Sequence, residues 1–270
     1  MSVLEVSNIS KSFDRTQVLK DISFTLEKGQ VVSIIGSSGS GKTTLLRCLN
    51  FLERPDNGVI RVNNEVLFDA NDPATHKESE IRKKRLHFGL VFQSFNLFPQ
   101  YTALQNVMLA KELLAKELPD YKTRKKEIHA EIEAQAEMLL NQMGLSDRMK
   151  NYPHQLSGGQ CQRVAIALAI MNQPSLLLAD EPTSALDVAS QDMTIETLLA
   201  LRKKTDLSIL LVTHNMEVAR RLADEIGVMY QGRIIESGLP EEIWNDPKED
   251  YTKKLIAAIP QPVKLVLDEG

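Results

Sequence analysis

The sequence predicts an α/β fold, a core of parallel strands joined by an antiparallel β subdomain and an inserted helical subdomain. Three observations predict it. The short apolar runs Val31 to Ile35, Ser175 to Ala179 and Leu207 to Val212 have the length and composition of strands buried on both faces. The last two are separated by a helix-like stretch, as crossover connections require. The runs Val3 to Ile9 and Val18 to Leu26, and a Val59 to Leu67 run interrupted by Asn63 and Asn64, read as antiparallel strands with a hairpin turn. From Tyr101 to Met143 the composition turns charged, with Ile128, Ile132, Leu139, Leu140 and Met143 near helical spacing.

Composition bounds the rest. A chain of 270 residues with 43% hydrophobic content can furnish its own core without disulfides. Its 32 basic and 36 acidic residues leave a formal charge of -4, which gives no general attraction to nucleic acid or an anionic membrane. Cys48 and Cys161 fall inside helix patterns at neither disulfide nor metal-ligand spacing, so they read as packing residues in a reducing compartment. The start of the chain carries no charged leader before an apolar stretch, and no run of about 18 apolar residues occurs. These features predict a cytoplasmic chain whose membrane role, if any, comes through a partner.

The strand Val31 to Ile35 ends on Gly36, Ser37, Ser38, Gly39, Ser40, Gly41, Lys42 and Thr43, which match the phosphate-loop pattern G-x-x-x-x-G-K-S/T. Small residues there let successive backbone N–H groups curl around phosphate oxygens at the start of a helix, here the pattern Leu45, Leu46, Leu49. Lys42 is expected at the β- and γ-phosphates, Thr43 at magnesium and Thr44 on the α-phosphate side. Asp180 ends a near-pure leucine strand, where a P-loop enzyme puts a carboxylate facing the metal. The adjacent Glu181 is positioned to take a proton from an attacking water. With five scattered histidines, no metal other than Mg2+ is expected.

A second glycine motif, Leu156 followed by Ser157, Gly158, Gly159 and Gln160, precedes Asp180. Ser157 reads as the cap of a helix whose glycine start offers a hydroxyl, open N–H groups and a positive helix end to an anion. In that position the motif is similar to the signature of ATP-binding cassette (ABC) ATPases. The resemblance runs from about Leu4 to Leu255. It implies a P-loop NTPase core over 1–93 and 161–240, a helical subdomain over about 94–160 and a short tail over 256–270. It further implies a head-to-tail homodimer, in which the Ser157 to Gln160 motif of each subunit completes the ATP site of the other.

Other positions carry over from the resemblance one by one. Phe13 stands where the family stacks an aromatic on adenine, and Gln93 where it has a glutamine that touches Mg2+ and the attacking water and signals to the membrane partner. Asp187, in Ser184 to Asp187, matches the loop that crosses the dimer interface, and His214 the histidine that contacts the γ-phosphate. Leu168 and Val188 depart from the family, which usually has Arg and Pro there.

The stretches Arg47 to Asp56, Val91 to Pro99 and Asp180 to Asp187 resemble the ATPases of polar amino-acid importers. That implies an integral-membrane permease, an extracytoplasmic solute-binding protein and a peripheral location on the cytoplasmic face of the membrane, with no nucleic acid. The competing functions are a soluble cassette acting on nucleic acid or ribosomes and an ABC ATPase for another small solute. The first would call for long coiled-coil inserts or a second cassette, and neither is present. The basic runs Arg82 to Arg85 and Lys122 to Lys126 read mainly as solvated faces, the first a candidate border to a permease or lipid.

Overall fold

Alternating burial along the first strands folds the N-terminal third into hairpins. In the computed structural model, which describes residues 1–259, β1 (Ser2–Phe13) pairs antiparallel with β2 (Thr16–Glu27). After β3 (Val31–Ile35) and α1 (Lys42–Leu49), the hairpin of β4 (Asn57–Val62) and β5 (Glu65–Asp69) returns to β1, giving a sheet of order β2-β1-β4-β5. Its turn residues Asn63 and Asn64 have φ of 50° and 65°, the left-handed pair that a two-residue hairpin loop needs.

The chain continues through α2 (Glu78–Lys84), β6 (Phe88–Val91), α3 (Ala103–Ala115), α4 (Tyr121–Gln142), α5 (Gly158–Ile170) and β7 (Leu176–Asp180). It closes with α6 (Val188–Thr205), β8 (Ser208–Thr213), α7 (Met216–Leu222), β9 (Glu225–Tyr230), β10 (Arg233–Gly238), α8 (Pro240–Asn245) and α9 (Asp250–Ala257). The second sheet has the order β10-β9-β3-β8-β7-β6, parallel from β9 to β6, with β10 antiparallel at one edge.

The parallel strands read as continuous apolar runs because both of their faces are covered. Leu177, Ala179, Ile209 and Leu211 pack with α3 to α7, whereas the alternate residues Leu176, Leu178, Leu210 and Val212 pack with α1 and the antiparallel sheet. A third cluster, Ile35, Ile226, Val228 and Met216, is covered by α8 and α9. Cys48 and Cys161 are buried in the helices, and desolvation pushes the Cys48 thiol up to about 12, so both behave as apolar packing groups.

The helical insertion expected over Tyr101 to Met143 consists of two helices, α3 and α4, and their buried residues Val107, Ile128 and Leu140 share one cluster with the sheet residues Leu177 and Ile209. The finer divisions differ from the sequence expectation. The divisions at 160/161 and 255/256 fall inside α5 and α9, because the Ser157 cap starts α5 at Gly158 and Ile256 of α9 still packs on the third cluster. Most of the tail expected over 256–270 lies outside the described residues. The run Arg82 to Arg85 is largely structural. Lys84 is buried with Nζ donating to the Leu67 and Thr75 carbonyls, Arg85 donates to the Phe51 carbonyl, and Arg82 pairs with Glu117. Among the described residues no helix is long and apolar enough to cross a membrane.

Candidate functional site

Strand register assembles the site. Ile35 of β3 lies beside Thr213 of β8, and Asp180 of β7 lies beside Val212, so the chain leaves three adjacent parallel strands at one edge. The residues that follow, Gly36, Glu181 and His214, are therefore neighbours, at the carboxyl ends of the strands where open α/β sheets form their crevices. Val91 of β6 pairs with Ala179, which brings Gln93 to the same edge. A cleft of about 580 Å³ opens there. Ser38, Gly39, Gly41, Lys42, Thr43, Thr44, Gln93, Glu181 and His214 line it, together with Val18 from β2.

The loop needs its glycines. Gly36 has φ of 155°, and a Cβ on it would lie 2.2 Å from the Met229 carbonyl oxygen, so β9 packs directly against the loop backbone. Lys42 opens α1 and is buried, with Nζ donating to the carbonyl oxygens of Gly36 at 2.8 Å and Ser37 at 2.9 Å. Desolvation lowers its pKa, and the charges of Glu181 and Asp180 oppose that shift. Ser40 is buried behind the loop, and its carbonyl accepts from Gly232 N–H at 3.0 Å.

Two carboxylates face the loop in different environments. Thr43 Oγ1 donates to Asp180 Oδ1 at 3.3 Å. Burial raises the Asp180 pKa, the Thr43 bond opposes that shift, and the Glu181 charge adds to it. A hydroxyl beside a carboxylate, with the Gln93 amide on the same cleft, is an all-oxygen donor set suited to a hard cation such as Mg2+.

Glu181 is clamped. Its Oε1 accepts from the His214 backbone N–H at 2.9 Å and lies 2.7 Å from His214 Nδ1, while Oε2 accepts from Thr213 Oγ1 at 3.1 Å. A carboxylate only accepts, so the hydrogen of that contact sits on Nδ1, which leaves Nε2 of the exposed imidazole free. Glu181 has φ of 50°, a left-handed conformation that is strained for a side-chain-bearing residue and concentrates at functional sites. Sequence reasoning found Glu181 and His214 but not Val18 or Thr213, whose roles depend on which strands become neighbours.

The remaining candidates lie apart from this cleft. Phe13 is 41% exposed at the end of β1, with Lys11 Nζ 5.2 Å from its ring centroid, and it does not line the cleft. Ser157 caps α5: its Oγ accepts from Gln160 N–H at 3.3 Å, and Gln160 Oε1 accepts from Ser157 N–H at 2.9 Å. Asp187 caps α6, accepting from Ser190 N–H at 2.9 Å and Ser190 Oγ at 2.8 Å, and these bonds hold its carboxyl below the usual range. The two helix starts touch, since a Cβ on Gly159 would lie 2.7 Å from Ser190 Cβ. Gly158 is exposed, and a Cβ there would have Leu186 at 3.4 Å and Phe95 at 3.7 Å. Ser157 to Gln160 thus form an open helix tip beside Asp187 but outside the cleft.

Asn106 was not anticipated either. It is fully buried on α3, where Nδ2 donates to the carbonyls of Phe98, Tyr101 and Thr102 and Oδ1 accepts from Phe98 N–H, pinning the segment that follows Gln93.

Comparison with known proteins identifies the family. The family model described as ABC transporter matches residues 19–184. The L-cystine import ATP-binding protein TcyN of Bacillus subtilis (strain 168) is 42% identical, over 95% of this chain and 93% of the relative. The arginine transport ATP-binding protein ArtM of the same organism is 40% identical, over 94% of this chain and 100% of the relative. An ATP-binding cassette solved as a dimer in a post-hydrolysis state with ADP and Pi superposes with a TM-score of 0.73 at 32% identity, covering 88% of this chain and 98% of that one. The chain belongs to the ABC transporter family, as an ATP-binding cassette ATPase.

Proposed function

We propose that this chain is the ATP-hydrolysing subunit of an importer for a polar amino acid. It works as a homodimer on the cytoplasmic face of an integral-membrane permease, which is supplied by an extracytoplasmic solute-binding protein. The observation that carries the ATPase site is the clamped Glu181 carboxylate beside Lys42 and the Thr43–Asp180 pair in one cleft. The import role and the cargo class rest on the cystine and arginine relatives, and the dimer on the dimeric cassette.

The N–H groups of the loop and Lys42 bind the triphosphate, with Phe13 against the adenine. Thr43, Asp180 and Gln93 would hold Mg2+, which would supply positive charge to the triphosphate. Glu181 accepts the proton of the attacking water as its oxygen bonds to the γ-phosphorus and the bond to the ADP oxygen breaks. His214 and Thr213 hold that carboxylate in line. Ser157, Gly158, Gly159 and Gln160 of the partner subunit close on the γ-phosphate from the opposite side, with Asp187 at the seam. Closure then passes through the Gln93 to Tyr101 segment to the permease.

Replacing Glu181 with Gln keeps the hydrogen-bonding shape and removes the base. We expect Glu181→Gln to bind Mg-ATP like the wild type, to lose hydrolysis by at least about 100-fold, and to accumulate as an ATP-bound dimer. Unchanged turnover would remove Glu181 from this role. Affinity purification from solubilised membranes should recover a permease, and recovery of ribosomes or nucleic acid instead would overturn the importer.

A further inference from the structure

The phosphate loop is held from outside as well as from within. Ser37 N–H donates to Tyr251 Oη at 2.9 Å, a contact between residues 214 positions apart. The carbonyl of the same residue accepts from Lys42 Nζ at 2.9 Å. Ser37 is thus gripped on its donor side by α9 and on its acceptor side by the loop lysine.

Tyr251 is itself fixed. Its ring packs on Tyr230 with centroids 4.1 Å apart. The start of α9 is tied to β10, because the Glu236 carboxylate accepts from Lys248 N–H at 2.7 Å and Glu249 N–H at 3.2 Å. The turn between β9 and β10 adds the Gly232 to Ser40 backbone bond at 3.0 Å. The β9–β10 hairpin and α9 therefore form a brace along the outer side of the loop.

An exposed loop N–H finds water when it loses a protein partner, so this bond contributes little to folding. Its consequence is geometric. A loop whose peptide planes are already oriented loses less conformational freedom when a nucleotide binds. We propose that Tyr251 is a positioning residue for the ATP site, holding the Ser37 peptide, and through it Lys42, in the arrangement that receives phosphate. It touches no reacting atom, and the proposal rests on the ATPase reading above.

Tyr251→Phe keeps the ring on Tyr230 and removes only the hydroxyl. Tyr230→Phe removes a hydroxyl from the same stack, one bonded to Gln231 rather than to the loop. Equilibrium titration of Mg-ATP, steady-state hydrolysis and thermal unfolding are measured for both variants and the wild type. Tyr251→Phe is expected to raise Kd and KM for Mg-ATP about fivefold. Its kcat should stay near the wild-type value and its Tm within about 2 °C, while Tyr230→Phe matches the wild type throughout. Wild-type Kd and KM in Tyr251→Phe would overturn the proposal. So would an equal rise in Tyr230→Phe, or an affinity loss that appears only with a matching fall in Tm. A wild-type chain without ATP turnover would sink the ATPase reading instead, and the Kd comparison would still decide the role of Tyr251.

Discussion

The phosphate loop and the Ser157 helix tip are both glycine-rich helix starts, yet they are built differently. Around the loop, the Thr43–Asp180 pair, buried Lys42 and the Thr213–Glu181–His214 clamp converge on one cleft. The Ser157 tip satisfies itself through its capping box, leans on α6 and lines no part of that cleft. The loop end gathers its charged and polar groups from a single chain. At the other, Ser157 and Gly158 are exposed, and in the function proposed above this tip meets its ligand on the partner subunit.

The two adjacent glycines of the tip give the sharpest way to break that comparison. Gly158 is exposed with ordinary clearance, and an acidic residue in the first turn of α5 suits the helix dipole. Gly158→Asp should therefore fold normally and bind ATP as a monomer. Its carboxylate would oppose a γ-phosphate arriving from the partner, and hydrolysis should fall by at least about 100-fold, the scale of losing one key charge-stabilising group. Wild-type turnover in Gly158→Asp would show that the tip plays no part in the reaction.

Gly159 separates packing from chemistry at the same tip. It is buried, and a Cβ on it would meet Ser190 at 2.7 Å, so Gly159→Val must push α5 from α6 and disturb the Asp187 cap. The expected cost is about 1–3 kcal/mol of stability, read as a clear drop in Tm. A Tm equal to that of Gly158→Asp would mean that the two helix starts are not in the close contact described.

How much of this was legible in the sequence follows from how local each feature is. The loop from Gly36 to Thr43, the Asp180–Glu181 pair and the Ser157 cap are contiguous patterns whose chemistry needs only their own backbone, and each could be read directly. Val18 and Thr213 were not legible, because their proximity to the cleft depends on the order and register of the strands. Lys84 looked like part of a solvated basic run, but its ammonium meets two buried carbonyls from β5 and the turn after it. Tyr251 reaches the loop from the far end of the chain, and no spacing rule spans such a distance. Motifs reveal what a segment can bind, and long-range register decides what holds it.

The smallest expected effect tests the cleft side of the comparison. Thr213→Val preserves the shape of the side chain and removes a hydroxyl that donates to Glu181 Oε2 and accepts from Asn215 N–H at 3.0 Å. Thr213 is fully buried, so the change leaves the Glu181 carboxylate with its His214 contacts alone at Oε1. A hydrogen bond to a charged group contributes about 1.5 kcal/mol or more, so kcat should fall at least about tenfold with KM for ATP unchanged. The split matters more than the size. The Asn215 bond is lost in either case and lowers Tm, so the discriminating readout is KM, which would rise as kcat falls if Thr213 merely supported the strand end. If it orients the base, only the chemical step slows, and adding Glu181→Gln to Thr213→Val should reduce hydrolysis no further than Glu181→Gln alone.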